Sequence, residues 1–144
     1  MSDPSPPPGF APAGFSPGFL DRGGPYWLRA GATGTIVGLR IDGGHLNYQD
    51  VAHGGVLTTL ADVAMSWCVY NSESPPLAVA TATLTVNFLG AARLGEWLEA
   101  DARIDRLGKC LAHTSGTIRC GDVAIATMTG VFSVRRARTY TNLR

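Results

Sequence analysis

The chain has 144 residues, 45% hydrophobic and 16% charged, with twelve Lys or Arg against eleven Asp or Glu. That length suits one domain with its own core, and so low a charged fraction argues against a disordered chain. A formal charge of +1 lacks the basic excess of a nucleic-acid binder, so no nucleic-acid partner is expected.

Six of the nine prolines fall within the first seventeen residues, in MSDPSPPPGFAPAGFSP. Such a segment disfavours helix and ladder, so residues 1–23 are expected as a flexible Pro/Gly-rich arm. Phe10, Phe15 and Phe19 recur in it and are candidates for docking on the domain. No lysine or arginine precedes Arg22, so no signal or transit peptide is expected. The domain proper is placed at 24–138 and a tail at 139–144.

Thr35 to Asp42 alternates as a strand, and a loop follows from Gly43 to His53. Gly54 to Tyr70 reads as one long helix, ended by a turn over Asn71 to Pro76. In Thr81 to Leu89, Ala82, Leu84, Val86 and Phe88 share one face, while Thr81, Thr83, Thr85 and Asn87 share the other. Trp97 to Asp105, Cys110 to Cys120 and Val123 to Arg135 complete the strands. Their turns are too short for parallel crossovers, so they pair antiparallel. Small residues on the last strand (Ala124, Ala126, Gly130) would let the helix approach closely. The longest uncharged stretch, Ser74 to Ala92, is broken by prolines, threonines and Asn87 and is no membrane span.

The helix is apolar nearly all round, so it is expected to be enclosed by protein. The implied fold class is α+β, a curved antiparallel sheet around one central helix. Cys68, Cys110 and Cys120 form no C-x-x-C pair, which gives no zinc site and fits reduced thiols in a cytoplasmic protein.

Asp62 is the one charged residue between Asp50 and Glu73. A carboxylate on such a helix is costly unless it is paired or functional. Thr58, Thr59 and Ser66 flank it as a narrow polar stripe, so the plain alternative is a carboxylate held by hydroxyls or by an arginine. At the helix start, His53-Gly54-Gly55 exposes free backbone N–H groups at the positive end of the helix dipole, where an oxyanion would be stabilised. There the plain alternative is a helix entry with His53 as cap. Gly54 and Asp62 are eight residues apart, about 12 Å along the axis. One helix cannot bring both to the same carbonyl. Two antiparallel helices can, so if both residues are catalytic the site is shared across a dimer.

HLNYQDVAHGGVLTTLADVA resembles the signature of the hotdog-fold thioesterases, in particular the PaaI-like phenylacetate-pathway branch. The resemblance runs from Gly24-Pro25 to Val134, with Asn47, His53-Gly54-Gly55 and Asp62 at the family's relative spacing. TLTVNFLGAARLGE looks like the family's next strand and turn. It implies a helix wrapped by a five- or six-stranded sheet, a homodimer with a continuous sheet, and often a dimer of dimers (homotetramer). It implies hydrolysis of short- or medium-chain acyl-CoA, or aryl-CoA, without metal or cofactor.

The resemblance makes Asp62 nucleophile or general base and the Gly54 N–H (or that of Gly55) the carbonyl polariser. Asn47 would position substrate or water, Thr81 would lie near that water, and His53 joins the catalytic set as the head of the motif. Asp50 departs from the pattern, because related sequences often carry glycine there. For the phosphates of coenzyme A the candidate cations are Arg93, Arg106, Lys109, Arg135, Arg136 and Arg138, with solvated surface charge as the plain alternative for each. Two rival functions remain, a non-catalytic acyl-CoA binder and an enoyl-thioester hydratase.

Overall fold

The computed structural model describes residues 4–32 and 34–137, so Arg138 and the tail at 139–144 lie outside the described residues. Its elements are β1 (Ala11–Pro12), α1 (Phe19–Gly23), β2 (Tyr26–Ala30), β3 (Thr35–Arg40), α2 (Gly54–Tyr70), β4 (Ala78–Phe88), β5 (Trp97–Leu107), β6 (Leu111–Cys120) and β7 (Val123–Arg135). The strands form one antiparallel sheet in the order β1-β2-β3-β5-β6-β7-β4. α2 contacts β3, β4, β5, β6 and β7, so the sheet curves around it.

Period-two alternation explains the core. Leu98, Ala100 and Ala102 of β5 and Ala126, Met128 and Phe132 of β7 point inward and are buried, beneath Leu60, Ala64 and Met65 of α2. Burying side chains such as Leu60 or Met65 contributes about 1.5–3 kcal/mol each. Gly130 permits the close approach expected of β7, since a Cβ there would lie 3.1 Å from Met65 Cε.

Three expectations need correction. First, α2 is not enclosed within a single chain. Leu57, Leu60, Ala61 and Met65 are buried, but Thr58, Thr59, Asp62 and Ser66 form a half-open stripe. Second, the simple alternation in β4 fails at a β-bulge between Thr81 and Thr83, where Ala82 has no partner on β7. Thr81 lies opposite Phe132, and Leu84 opposite Gly130. Residues directly opposite share a face, so the extra residue moves Thr81 to the helix side with Leu84, Val86 and Phe88.

Third, the described part of the expected flexible arm is laid against the domain. β1 pairs with β2 through Ala11↔Leu28 and Pro12↔Trp27. Phe10 meets the Trp97 ring edge-on at 5.0 Å, and Phe15 meets Trp67 at 5.1 Å. Phe19 stays 69% exposed. Proline is tolerated here because β1 is the outermost strand, where a missing N–H leaves no ladder partner bare.

Candidate active site

The loop before α2 is fixed by its own polar groups. Asn47 Oδ1 accepts the Gln49 N–H at 2.9 Å and the Val51 N–H at 3.3 Å, and the Asn47 N–H donates to Val51 O at 2.8 Å. The turn places Asp50 at φ 58, in the left-handed region that explains a glycine preference and that aspartate tolerates. Asn47, expected to position substrate or water, therefore has its side-chain oxygen committed to the loop.

His45, within the loop, is a brace that no local motif marks. Only 2% exposed, it accepts the Asp42 N–H on Nδ1 at 2.9 Å, and its Nε2 lies 2.6 Å from Gly23 O. Those partners assign the neutral Nε2–H tautomer, so the 3.4 Å approach of Asp42 Oδ1 to Nδ1 is not an ion pair. The His45 carbonyl accepts the His53 N–H at 2.8 Å, which hangs the helix start on this brace.

His53 is the N-cap of α2, and its Nδ1 accepts the Gly55 N–H at 2.9 Å. The capping alternative is the one observed for this side chain. It also separates the two glycines. The Gly55 N–H is occupied, whereas that of Gly54 has no hydrogen-bond partner among the described residues. Phe88, 53% exposed, borders this amide, since a Cβ at Gly54 would lie 3.5 Å from its Cζ.

Two turns along α2, Asp62 Oδ1 accepts the Thr81 hydroxyl at 2.6 Å. The bulge at Ala82 is what turns Thr81 toward it. The other hydroxyls of the stripe bond back to their own helix, Thr58 to Gly54 O and Thr59 to Gly55 O at 2.8 Å each, and Ser66 to Val63 O at 3.2 Å. Asp62 and Thr81 line a cleft of about 450 Å³ with Thr58, Ser66, Leu84 and Phe19. An oriented carboxylate in an open, mostly apolar cleft can accept a proton from water or attack a carbonyl.

The candidate cations divide. Arg93 is exposed beside the loop, where its residue bridges Val51. Arg106, Lys109 and Arg135 are exposed around the far end of the sheet. Arg136 is committed elsewhere. Its Nε and Nη2 donate to the Glu73 carboxylate at 2.8 and 2.9 Å, and Nη1 donates to Lys109 O at 2.9 Å. That clamp holds the Glu73 carboxyl below its ordinary value and leaves no free fork for a phosphate, which corrects the expectation for Arg136. The other displaced groups also lie outside the cleft: burial pushes the Tyr26 hydroxyl and the Cys68 and Cys120 thiols up. Among the described residues no three His, Cys, Asp or Glu side chains gather as a metal site, and no helix is long and apolar enough to cross a membrane.

The sequence pattern of the thioesterase superfamily matches residues 49–127, from the end of the loop through α2, β4, β5 and β6 to the start of β7. The chain belongs to the thioesterase superfamily. A Pseudomonas aeruginosa protein named "putative esterase" is 41% identical over 127 residues, covering 88% of this chain and 95% of that protein. The structure resembles a Bacillus halodurans protein solved with CoA at 26% identity and a TM-score of 0.69, covering 77% of this chain and 74% of the other. It also resembles the Escherichia coli PaaI protein of the phenylacetic acid degradation operon, at 25% identity and a TM-score of 0.66, over 73% and 74% of the two chains. The fold is thus the hotdog fold of a PaaI-like thioesterase, and the activity is thioester hydrolysis. In this thioesterase the structure brings Asp62 and Thr81 together in one chain, while Gly54 stands apart at the helix start.

Proposed function

We propose that the protein hydrolyses acyl-CoA thioesters in the cytoplasm as a homodimer, itself paired as a dimer of dimers, with sites shared between subunits. The observation that carries this is the Asp62 carboxylate, held by the Thr81 hydroxyl at 2.6 Å in an open cleft. Thr81 occupies Oδ1 and leaves Oδ2 for the reacting water. The polarising donor is Gly54 of the partner subunit, because its N–H is unpartnered and lies about 12 Å of helix from the Asp62 of its own chain. β4 ends the sheet, with Phe88 and Leu89 exposed at 53% and 59%. A long edge strand with apolar side chains in water invites pairing, and pairing with the partner's β4 supports a continuous sheet. It would also set the two α2 helices antiparallel.

Water attacks the thioester carbonyl as Asp62 takes its proton. The oxyanion forms against the N–H of Gly54 of the partner subunit, at the positive end of that helix. Collapse breaks the C–S bond, and the coenzyme A thiolate leaves with the proton returned by Asp62. Direct attack by Asp62 would pass instead through an acyl anhydride that water then opens. No cofactor takes part in either route. Arg93, bridged to Val51 of the loop that leads to Gly54, is the first candidate for the phosphates, and Arg135 and Lys109 are further candidates.

Thiol release from short, medium, long and aromatic acyl-CoA substrates tests the reading. Wild-type turnover that falls by about 10²–10⁴ in a folded Asp62→Asn variant is expected. Full turnover in that variant would refute it.

A further inference from the structure

The groove that holds Asp62 continues along α2. A second cleft of about 620 Å³ shares Leu20, Val63 and Ser66 with the first and reaches Trp67 and Tyr70. Asp62 and Tyr70 are eight residues apart, about 12 Å of helix axis. α2 and β4 form two walls of this groove. The third wall is the N-terminal segment Gly14–Leu20.

That segment is fastened on both sides. Upstream, Arg40 Nη2 donates to Ser5 O at 2.7 Å, the Ala13 N–H donates to Tyr26 O at 3.0 Å, and β1 adds its pairing to β2. The Phe10 ring lies against Gly38, where a Cβ would come within 3.0 Å of it. Downstream, the Gly18 N–H donates to Asp21 Oδ2 at 3.1 Å as α1 begins. Gly14 at φ 62 and Gly18 at φ 130 turn the chain between these anchors. Phe15 sits mid-span, edge-on to Trp67 at 5.1 Å and tilted on Tyr26 at 5.9 Å. Behind it a third cleft of about 270 Å³ shares Gly14, Phe15 and Leu20 with the groove. The Phe15 ring is a partition.

We propose that Phe15 sets acyl-chain selectivity by closing the far end of the acyl pocket; this rests on the acyl-CoA reading of the Asp62 cleft. Short acyl and aryl groups fit between Asp62 and the Phe15–Trp67 pair, and longer chains meet the Phe15 ring. Truncating that ring joins the groove to the third cleft, and enlarging it shortens the pocket. Asp62 and Thr81 are untouched by either change.

The test is kcat/KM for butyryl-, octanoyl-, dodecanoyl- and benzoyl-CoA in wild type, Phe15→Ala and Phe15→Trp. The dodecanoyl-to-butyryl ratio should rise about tenfold in Phe15→Ala, the discrimination a small change in a hydrophobic pocket commands, and fall in Phe15→Trp. Lost folding lowers every substrate together and cannot move the ratio in opposite directions in the two variants. Identical profiles in all three proteins overturn the role of Phe15 and leave the thioesterase reading standing. A folded wild type that hydrolyses none of the four overturns the acyl-CoA reading, and the Phe15 proposal with it.

Discussion

The two ends of α2 are finished differently. At the C-terminal end, Trp67 stacks on Tyr70 at 5.3 Å and takes Phe15 on its edge. The Arg136–Glu73 clamp ties the following turn to the last strand and, through Lys109 O, to the β5–β6 hairpin. At the N-terminal end the Gly54 amide has no partner among the described residues, Phe88 and Leu89 are exposed, and Tyr48 is 92% exposed. Polar groups and large apolar side chains are seldom left so at a functional position without a reason. The C-terminal end is packed within its own chain and, under the proposed function, bounds the acyl pocket, whereas the N-terminal end would offer its amide to the site of a second chain.

Variants at four positions sharpen that contrast, beginning with Asp62→Asn, whose loss of about 10²–10⁴ in kcat should be the largest. Gly54→Pro comes next. Gly54 is the first helical residue, where proline is tolerated, and His53 at φ −59, ψ 140 already has the backbone of a residue before proline. The substitution removes little besides the unpartnered N–H, so kcat should fall by about 10²–10³ with the melting temperature kept. An unchanged kcat would break the contrast at its open end.

Under the proposed mechanism Thr81 acts through Asp62 as a positioning residue, by the hydrogen bond it donates to Oδ1. Thr81→Val should lower kcat about tenfold, as for a lost hydrogen bond to a charged group, and Thr81→Ser should restore it. A deficit that serine does not rescue would assign Thr81 to packing alone. The smallest effect belongs to the finished end. The Arg136 guanidinium holds the Glu73 carboxyl below its ordinary value, so the stability it gives is present above the unfolded glutamate pKa. It is lost as pH falls through the lower folded value. Glu73→Gln should therefore melt slightly below wild type near neutral pH, converge with it in acid, and keep its kcat. Melting curves at several pH values check this.

Much of the frame was legible in the residues. The helix bounds Gly54–Tyr70 and the last strand Val123–Arg135 were readable because pattern, glycine entry and turn residues agree there. β2 was missed because its Tyr26–Ala30 run is half-buried without clean alternation, with Arg29 turned to Glu99 at 3.1 Å. The side on which Thr81 stands was misread because a bulge leaves no mark in the periodicity it interrupts. The fate of Arg136 depends on Glu73, 63 positions away, and no local spacing reveals such a pair. Proline content argued for a loose arm, but an outermost strand and two phenylalanines, Phe10 and Phe15, among tryptophan and tyrosine rings favour docking. The placement of Asp62 on α2 and of His53-Gly54-Gly55 at its start was readable because both rest on residue type and spacing within one helix.

The shared site is the central claim, and mixing inactive subunits tests it most directly. Asp62→Asn and Gly54→Pro proteins are co-refolded in equal amounts and assayed for thiol release. In a two-fold dimer, half the molecules are then mixed, and each mixed dimer holds one site with both groups intact, so about a quarter of wild-type activity should return. Activity no higher than the mean of the two inactive proteins, with mixed dimers shown to have formed, would place both groups in one chain and contradict the claim.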